Sequence, residues 1–315
     1  MIATITFNPS IDKRYILDDI VKGEVARAKK VQNTAGGKGL NVSRVIRLLG
    51  EEVTATGFLG GHSGEFISGK LLELKIKDKF VKIKGETRSC LAIITKDLTQ
   101  TEILEPGPIV EEDEIERWRE AYDEILNNSS IVCASGSLPK GMMSSTYKEI
   151  IEKANLKEVK FLLDTSGEAL VQGIHGKPFF IKPNIDELKM ITGESVNSDN
   201  DIIKIIDKIH GSGVEFIFVS LGSKGSLIGY KGKKYRVQVP KVKAVNPVGS
   251  GDSTVAGVAV ALHRGYNIED TIAFASACGT ANAMEEQTGY VNLDIVNKIK
   301  AEIKRSEERR VGKEC

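Results

Sequence analysis

The sequence is poor in cysteine, has no excess of charge of either sign and contains no long apolar run. Its four cysteines, Cys90, Cys133, Cys278 and Cys315, include no C-x-x-C pair. Neither a disulfide framework nor a thiolate zinc site of familiar spacing is on offer, and the thiols read as buried or incidental ones in a reducing compartment. Lys and Arg number 44 against 43 Asp and Glu, a formal charge of +1. That leaves no global field for nucleic acid or an anionic membrane, while permitting a local basic pocket. No apolar stretch reaches the ~18 residues of a membrane span, and the opening "MIATITF" has the pattern of a strand, not of a signal peptide. The cytoplasm is the expected compartment. His62, His175, His210 and His263 show no metal-ligand spacing, and no Ser-His-Asp constellation can be assembled. Two phosphate-binding devices are missing as well. There is no G-x-x-x-x-G-K-[ST] loop and no G-x-G-x-x-G fingerprint, because "GSGDST" carries threonine where the third glycine belongs.

What is present is a chain of 315 residues, 41% hydrophobic, enough for one large α/β domain with or without a small accessory. Short β-branched runs recur at 2–7, 53–61, 89–95, 130–136, 159–164, 178–183 and 215–222, with helical patterns at 40–50, 112–128 and 201–213. From Ser130 onward the alternation is regular. It predicts a doubly wound, mostly parallel sheet with helices on both faces. After residue 251 the chain reads as helix over 252–265, 268–285 and 292–304. Two segments break the alternation, 10–34 and 86–106, and are expected to form a small antiparallel β lid inserted in a single domain spanning 1–304; extra edge strands are the simpler alternative. The charge-rich tail 305–315, "RSEERRVGKEC", is expected to lie outside the fold.

Glycine, at 31 residues, exceeds its usual share of roughly 7% and is clustered. In "NPVGSGDSTVAG" (246–257) the amides of Gly249, Ser250, Gly251 and Asp252 would open a helix as unpaired donors, a natural seat for a transferring phosphoryl group. Asp252 is placed to accept a hydroxyl proton; a helix-start aspartate after a simple turn is the plainer reading. In "TAGGKGLNVSRVIRLLG" (34–50), Gly36, Gly37 and Gly39 surround Lys38, with Asn41 following, a loop suited to a polyhydroxylated or phosphorylated small molecule or merely a turn before a helix. In "IKPNIDEL" (181–188), Asn184 and Glu187 have the N-x-x-E spacing that orients water ligands of Mg2+, and equally that of a helix capping box. "SLGSKGSL" (220–227) is a nucleotide-bordering loop or a hairpin.

Taken in order, these pieces resemble the PfkB (ribokinase-like) family of carbohydrate kinases over essentially residues 1–304. "AGGKGLNVSRVIRLLG" is similar to its N-terminal signature and "NPVGSGDSTVAG" to its C-terminal one. "TFNPSID", "KGETR", "SGSLPKG" and "KPNIDEL" are similar to the kinases of phosphorylated ketohexoses. The "NPVGSGD" form favours tagatose 6-phosphate as substrate, with fructose 1-phosphate as the alternative. The resemblance implies ATP as co-substrate, Mg2+, and Asp252 as the base beside the amides of Gly249, Ser250 and Gly251. It assigns Asp12, Gly36, Gly37, Lys38 and Asn41 to the sugar, and Arg88, Lys38 and Arg27 to its phosphate. Lys182, Asn184, Ser220, Gly222, Gly225 and Asn282 would border ATP, and Asn184 with Glu187 would hold the metal through water. A homodimer joined through the lid is implied too, with no role for nucleic acid or membrane. A sugar-phosphate sensor without turnover is the rival from another class, and the intact Gly249, Gly251 and Asp252 argue against it.

Overall fold

Residues 1–97 and 99–308 are described by a computed structural model. The β-branched runs supply strands whose alternate residues point to opposite sides of one sheet. The chain begins with β1 (Ile2–Thr6), β2 (Ser10–Ile16), β3 (Lys30–Gly36), α1 (Lys38–Leu48), β4 (Val53–Gly60) and α2 (Gly61–Glu73). It continues through β5 (Lys77–Asp78), β6 (Val81–Ile83), β7 (Arg88–Ile94), β8 (Gln100–Leu104), α3 (Glu112–Asn127), β9 (Ile131–Ser135) and α4 (Thr146–Leu156). Then come β10 (Lys160–Asp164), α5 (Glu168–His175), β11 (Phe180–Ile181), α6 (Ile185–Thr192), α7 (Asp199–Gly211) and β12 (Phe216–Ser220). The last elements are β13 (Ser226–Tyr230), β14 (Lys233–Gln238), α8 (Ser250–His263), α9 (Ile268–Ala283), α10 (Leu293–Glu302) and β15 (Lys304–Glu308).

The main sheet runs β15-β14-β13-β12-β11-β10-β9-β1-β4-β5, with β6 also on β4. Pairing is parallel from β12 to β5 and antiparallel at the β13, β14 and β15 edge. Period-two burial divides the core in two. Phe216 and Phe218 of β12 face a layer built with α1, α2, α8, α9 and α10, while Ile217 and Val219 face α3 to α7. A Cβ on Gly257 of α8 would come within 2.7 Å of Ala275 Cα, so glycine there is what lets α8 and α9 lie so close.

The segments that broke the alternation form a second sheet, β3-β2-β7-β8. It agrees with the expected lid, except that β2 and β7 are parallel. Register gives it two different faces, since directly paired residues project the same way. Asp12, Thr34 and Cys90 share one. Tyr15, Val31 and Ile93 share the other, with Leu91 and Ile103. One expectation needs correcting. Arg305–Glu308 do not leave the fold but continue the sheet edge in β15, pairing with β14; residues 309–315 of the tail lie outside the described residues.

Candidate active site

The glycine-rich loop before α8 is fixed from beneath. Gly249 takes φ 84°, open to glycine at little cost, and serves as N-cap of α8. Asn282, fully buried in α9, holds this loop with its whole amide. Its Nδ2 donates to Val248 O at 2.8 Å and to Ser250 Oγ at 3.3 Å, while its Oδ1 accepts from Gly289 N at 2.9 Å and Tyr290 N at 3.2 Å. Asn282, expected near the adenine, is thus a buttress under the glycine-rich loop before α8.

Asp252 sits in the first turn of α8, 6% exposed, where Asn41 Nδ2 of α1 donates to its Oδ2 at 2.8 Å. Asn41 is held in turn by Arg44, whose Nη1 donates to Asn41 Oδ1 and to Thr288 O, each at 2.9 Å, and whose Nη2 donates to Ala35 O. Burial and the neighbouring Asp164 push the Asp252 carboxyl up to about 6, against the opposing pull of Lys38, Asn41 and Lys182. That value leaves it ionised at neutral pH yet basic enough to take a hydroxyl proton.

Asp164 ends β10 and is joined to two lysines, Lys182 Nζ at 3.3 Å from Oδ1 and Lys38 Nζ at 3.8 Å from Oδ2. Burial alone would raise its carboxyl, but Lys182 and Lys38 hold it below the ordinary value. Asp164 in turn raises Lys38. Lys182 reaches under the loop, since a Cβ on Gly251 would lie 2.9 Å from Lys182 Nζ. Two ammonium groups and the α8 amides thus converge where Asp252 stands.

On the lid, Asp12 accepts from Ser10 Oγ at 2.7 Å. A Cβ on Gly36 would fall 2.1 Å from the Asp12 carboxylate carbon. Burial raises Asp12, opposed by Ser10, Arg44 and Arg88. Gly37, with φ 104°, precedes Lys38 and Gly39 at the start of α1. Arg88 clamps the lid's base. Its Nη1 donates to Glu105 O at 2.9 Å and its Nη2 to Asn8 O at 3.1 Å, which leaves donors of the guanidinium fork for a ligand. Arg27 stands apart, exposed on the β2–β3 connection beyond the last rung, Ile16 with Lys30.

At the other end, Asn184 and Glu187 form the capping box of α6. Asn184 Oδ1 accepts from Glu187 N and Glu187 Oε2 accepts from Asn184 N, both at 2.9 Å. Each of these oxygens keeps a lone pair, so the cap leaves the pair fit to meet the water shell of a divalent cation. Ser220, whose amide donates to Pro183 O at 3.1 Å, ends β12 beside that segment. The hairpin alternative for 220–227 holds, as β12 and β13 pair antiparallel with Ser220 opposite Ser226. Gly222 and Gly225 turn it with φ 59° and 85°. Arg27 aside, these groups lie at or past the carboxyl ends of β1, β9, β10, β11 and β12, the edge at which open α/β sheets bind ligands.

The match to "pfkB family carbohydrate kinase" extends over residues 5–295. The chain belongs to that family. It is 43% identical over 302 residues to tagatose-6-phosphate kinase of Staphylococcus epidermidis, covering 95% of this chain and 97% of the relative. Among solved structures, a putative phosphofructokinase from Staphylococcus aureus is 37% identical with TM-score 0.85, covering 98% and 99% of the two chains. Phosphofructokinase-2 from Escherichia coli in complex with fructose 6-phosphate is 28% identical with TM-score 0.88, covering 96% and 98%. The kinase is therefore a phosphotransferase with an alcohol group as acceptor. Sequence reasoning missed Asp164, Arg44 and Asn8 of this site. Asp164 left a trace, a carboxylate closing the apolar run "VKFLLD"; Arg44 lay unremarked inside the glycine motif.

Proposed function

We propose that the kinase transfers the γ-phosphoryl group of ATP to the primary hydroxyl of D-tagatose 6-phosphate, giving D-tagatose 1,6-bisphosphate and ADP, with Asp252 as general base. The observation that carries this reading is the buried Asp252 carboxylate in the first turn of α8, with Lys38 and Lys182 beside it. Asp252 takes the hydroxyl proton as the sugar oxygen forms its bond to phosphorus and the bond to ADP breaks. The amides of Gly249, Ser250 and Gly251 and the two lysines face the charge spread over the phosphoryl oxygens. Asp12, Gly36, Gly37, Lys38 and Asn41 hold the ketose, and Arg88 receives its 6-phosphate; Arg27, at the far end of the lid, stands apart from that phosphate. Lys182, Ser220, Gly222 and Gly225 border ATP. Asn184 and Glu187 would hold Mg2+, which would supply charge neutralisation at the phosphates. The tagatose 6-phosphate reading rests on the 43% identity to a kinase of that sugar. Two copies join through the apolar face of the lid, and the enzyme works in the cytoplasm.

The test is ADP release with ATP and Mg2+, comparing kcat/KM for tagatose 6-phosphate and fructose 1-phosphate. A clear preference for tagatose 6-phosphate is expected. Preference for fructose 1-phosphate would reassign the sugar and leave the Asp252 chemistry standing, whereas binding without ADP release would make the protein a sensor.

A further inference from the structure

The family signatures account for the loop, the base and the sugar-binding glycines, but not for Asp164. Its position is set by the sheet. Asp164 pairs with Ser135 across β10 and β9, and Ile5 pairs with Ala134 across β1 and β9, which puts Thr6 beside Ser135 one rung on. Thr6, Ser135 and Asp164 therefore form a buried row at the carboxyl edge, on the side covered by α1 and α8. The strand ends in this row are locked. Gly136 N donates to Asp164 O at 3.0 Å, while Thr165 Oγ1 and Tyr147 Oη both donate to Gly136 O at 2.8 Å. The carboxylate is thus a fixed point, and the cations acting on it are Lys182 and Lys38. These lysines come from different elements, one past β11 and the other at the start of α1. Without Asp164 between them, only Asp252 and Glu187 would offset the repulsion of two ammonium groups brought to one small region, and Asp164 is the anion that acts most strongly on Lys38.

We propose that Asp164 is a positioning residue for phosphoryl transfer: fixed at the end of β10, it holds Lys38 and Lys182 on the two sides of the Gly251–Asp252 turn, where both ammonium groups meet the transferring phosphoryl group. The inference rests on the reading of Asp252 as base. Its energetic logic is that of a buried charge network, in which removing one member leaves the others uncompensated. The groups that face Asp252 are Lys38, Asn41 and Arg44 from α1, Asp164 from β10 and Lys182 from the segment after β11. Asp164 and Lys182 act on it with opposite sign.

The test is a pair of full-length variants, Asp164→Asn and Lys182→Met, assayed for ADP release between pH 5 and 8.5 with MgATP and whichever of tagatose 6-phosphate or fructose 1-phosphate is turned over. Asp164→Asn is expected to lower kcat/KM by at least about tenfold and to move the acid limb down by roughly one pH unit, because a negative neighbour is lost. Lys182→Met is expected to move the limb up. A salt bridge that merely braces the fold would move the limbs through charge alone and leave the kcat/KM plateau above them unchanged, so an unchanged plateau in Asp164→Asn also overturns the proposal. Unmoved limbs, or limbs moving the same way, overturn the proposal. If Asp164→Asn does not fold by circular dichroism, the limb of Lys182→Met decides alone. Failure of the base assignment is seen separately, as an Asp252→Asn variant that keeps its turnover. In that event KM for ATP is the readout for Asp164: a rise of at least about fivefold in Asp164→Asn is expected, and an unchanged value overturns the proposal.

Discussion

Asp252 shows how burial and neighbouring charges tune a single carboxylate toward neutral pH. Desolvation favours its neutral form, and Asp164 adds like-charge repulsion, while Lys38, Asn41 and Lys182 pull the other way; the balance leaves it at about 6. Two consequences follow with definite sign. The base must be ionised to accept a proton, so kcat/KM should rise with pH through about 6 and then level off. Asp252→Asn should lower kcat by at least ~10² while ATP and sugar phosphate still bind, measured by ADP release and by titration calorimetry. Stability runs the other way. The folded carboxyl binds its proton more tightly than the unfolded one, whose pKa is roughly 3.9. The wild-type protein therefore loses stability as pH rises from about 4 to about 6. Asparagine carries no buried charge, so Asp252→Asn should unfold at a higher temperature than wild type at pH 7.5, by on the order of 1–3 kcal/mol, with the advantage shrinking toward pH 5. A variant less stable than wild type at pH 7.5 would show that Asp252 is better compensated than its neighbours imply.

Elements differ in how openly the sequence announces them, and the reason is physical. The first turns of α1 and α8 were legible because each uses glycine where backbone must come close: Gly39 under a Cβ-to-Thr6 Oγ1 approach of 2.2 Å, and Gly249 against Gly289 N at 2.6 Å. Such constraints leave a local mark. The lid was legible too, since its strands alternate without helical periodicity. Asp164 was not, because a carboxylate at a strand end acquires meaning only from register: it is β9 and β11, distant in sequence, that bring Ser135 and Lys182 beside it. The structural part of Asn282 was hidden for the same reason. Its neighbours suggest a helix residue near a ligand, while only the tertiary fold shows its amide spent on residues 248, 250, 289 and 290. The α6 start carries two expectations at once, and they separate experimentally. Asn184→Ala should cost about 1 kcal/mol through loss of the cap. Asn184→Ser restores a capping oxygen on a shorter side chain, so thermal stability should return close to wild type while the Mg2+ concentration for half-maximal rate stays several-fold higher. Recovery of both together would reduce Asn184 to a cap.

At the scale of the whole molecule, the lid is the part that does not close on itself. Near its base, Ile11 and Ala35 join the same core cluster as Ile67 and Leu71 of α2. Farther out, the face bearing Tyr15, Val31, Leu91, Ile93 and Ile103 has no such cover among the described residues, and Val31 and Ile103 are 49% and 53% exposed. A four-stranded sheet with one uncovered apolar face matches the requirement for a twofold, self-complementary contact. The opposite face carries Asp12, and Arg88 ties the lid's base to Asn8 and Glu105. A partner seated on the apolar face would therefore stiffen the sheet that carries Asp12. Size-exclusion chromatography with light scattering should show a dimer at micromolar concentration. Ile103→Glu places a charge on the apolar face, at its β8 edge, and should yield a folded monomer, with circular dichroism unchanged and KM for the sugar phosphate raised about tenfold or more, through loss of a preorganised lid. KM for ATP should change far less, because Ser220, Gly222 and Gly225 belong to the β12 end of the main sheet and not to the lid. A dimeric Ile103→Glu would place the contact elsewhere. A monomer with wild-type KM would separate assembly from sugar binding, and the lid would then hold Asp12 by its hinge contacts alone.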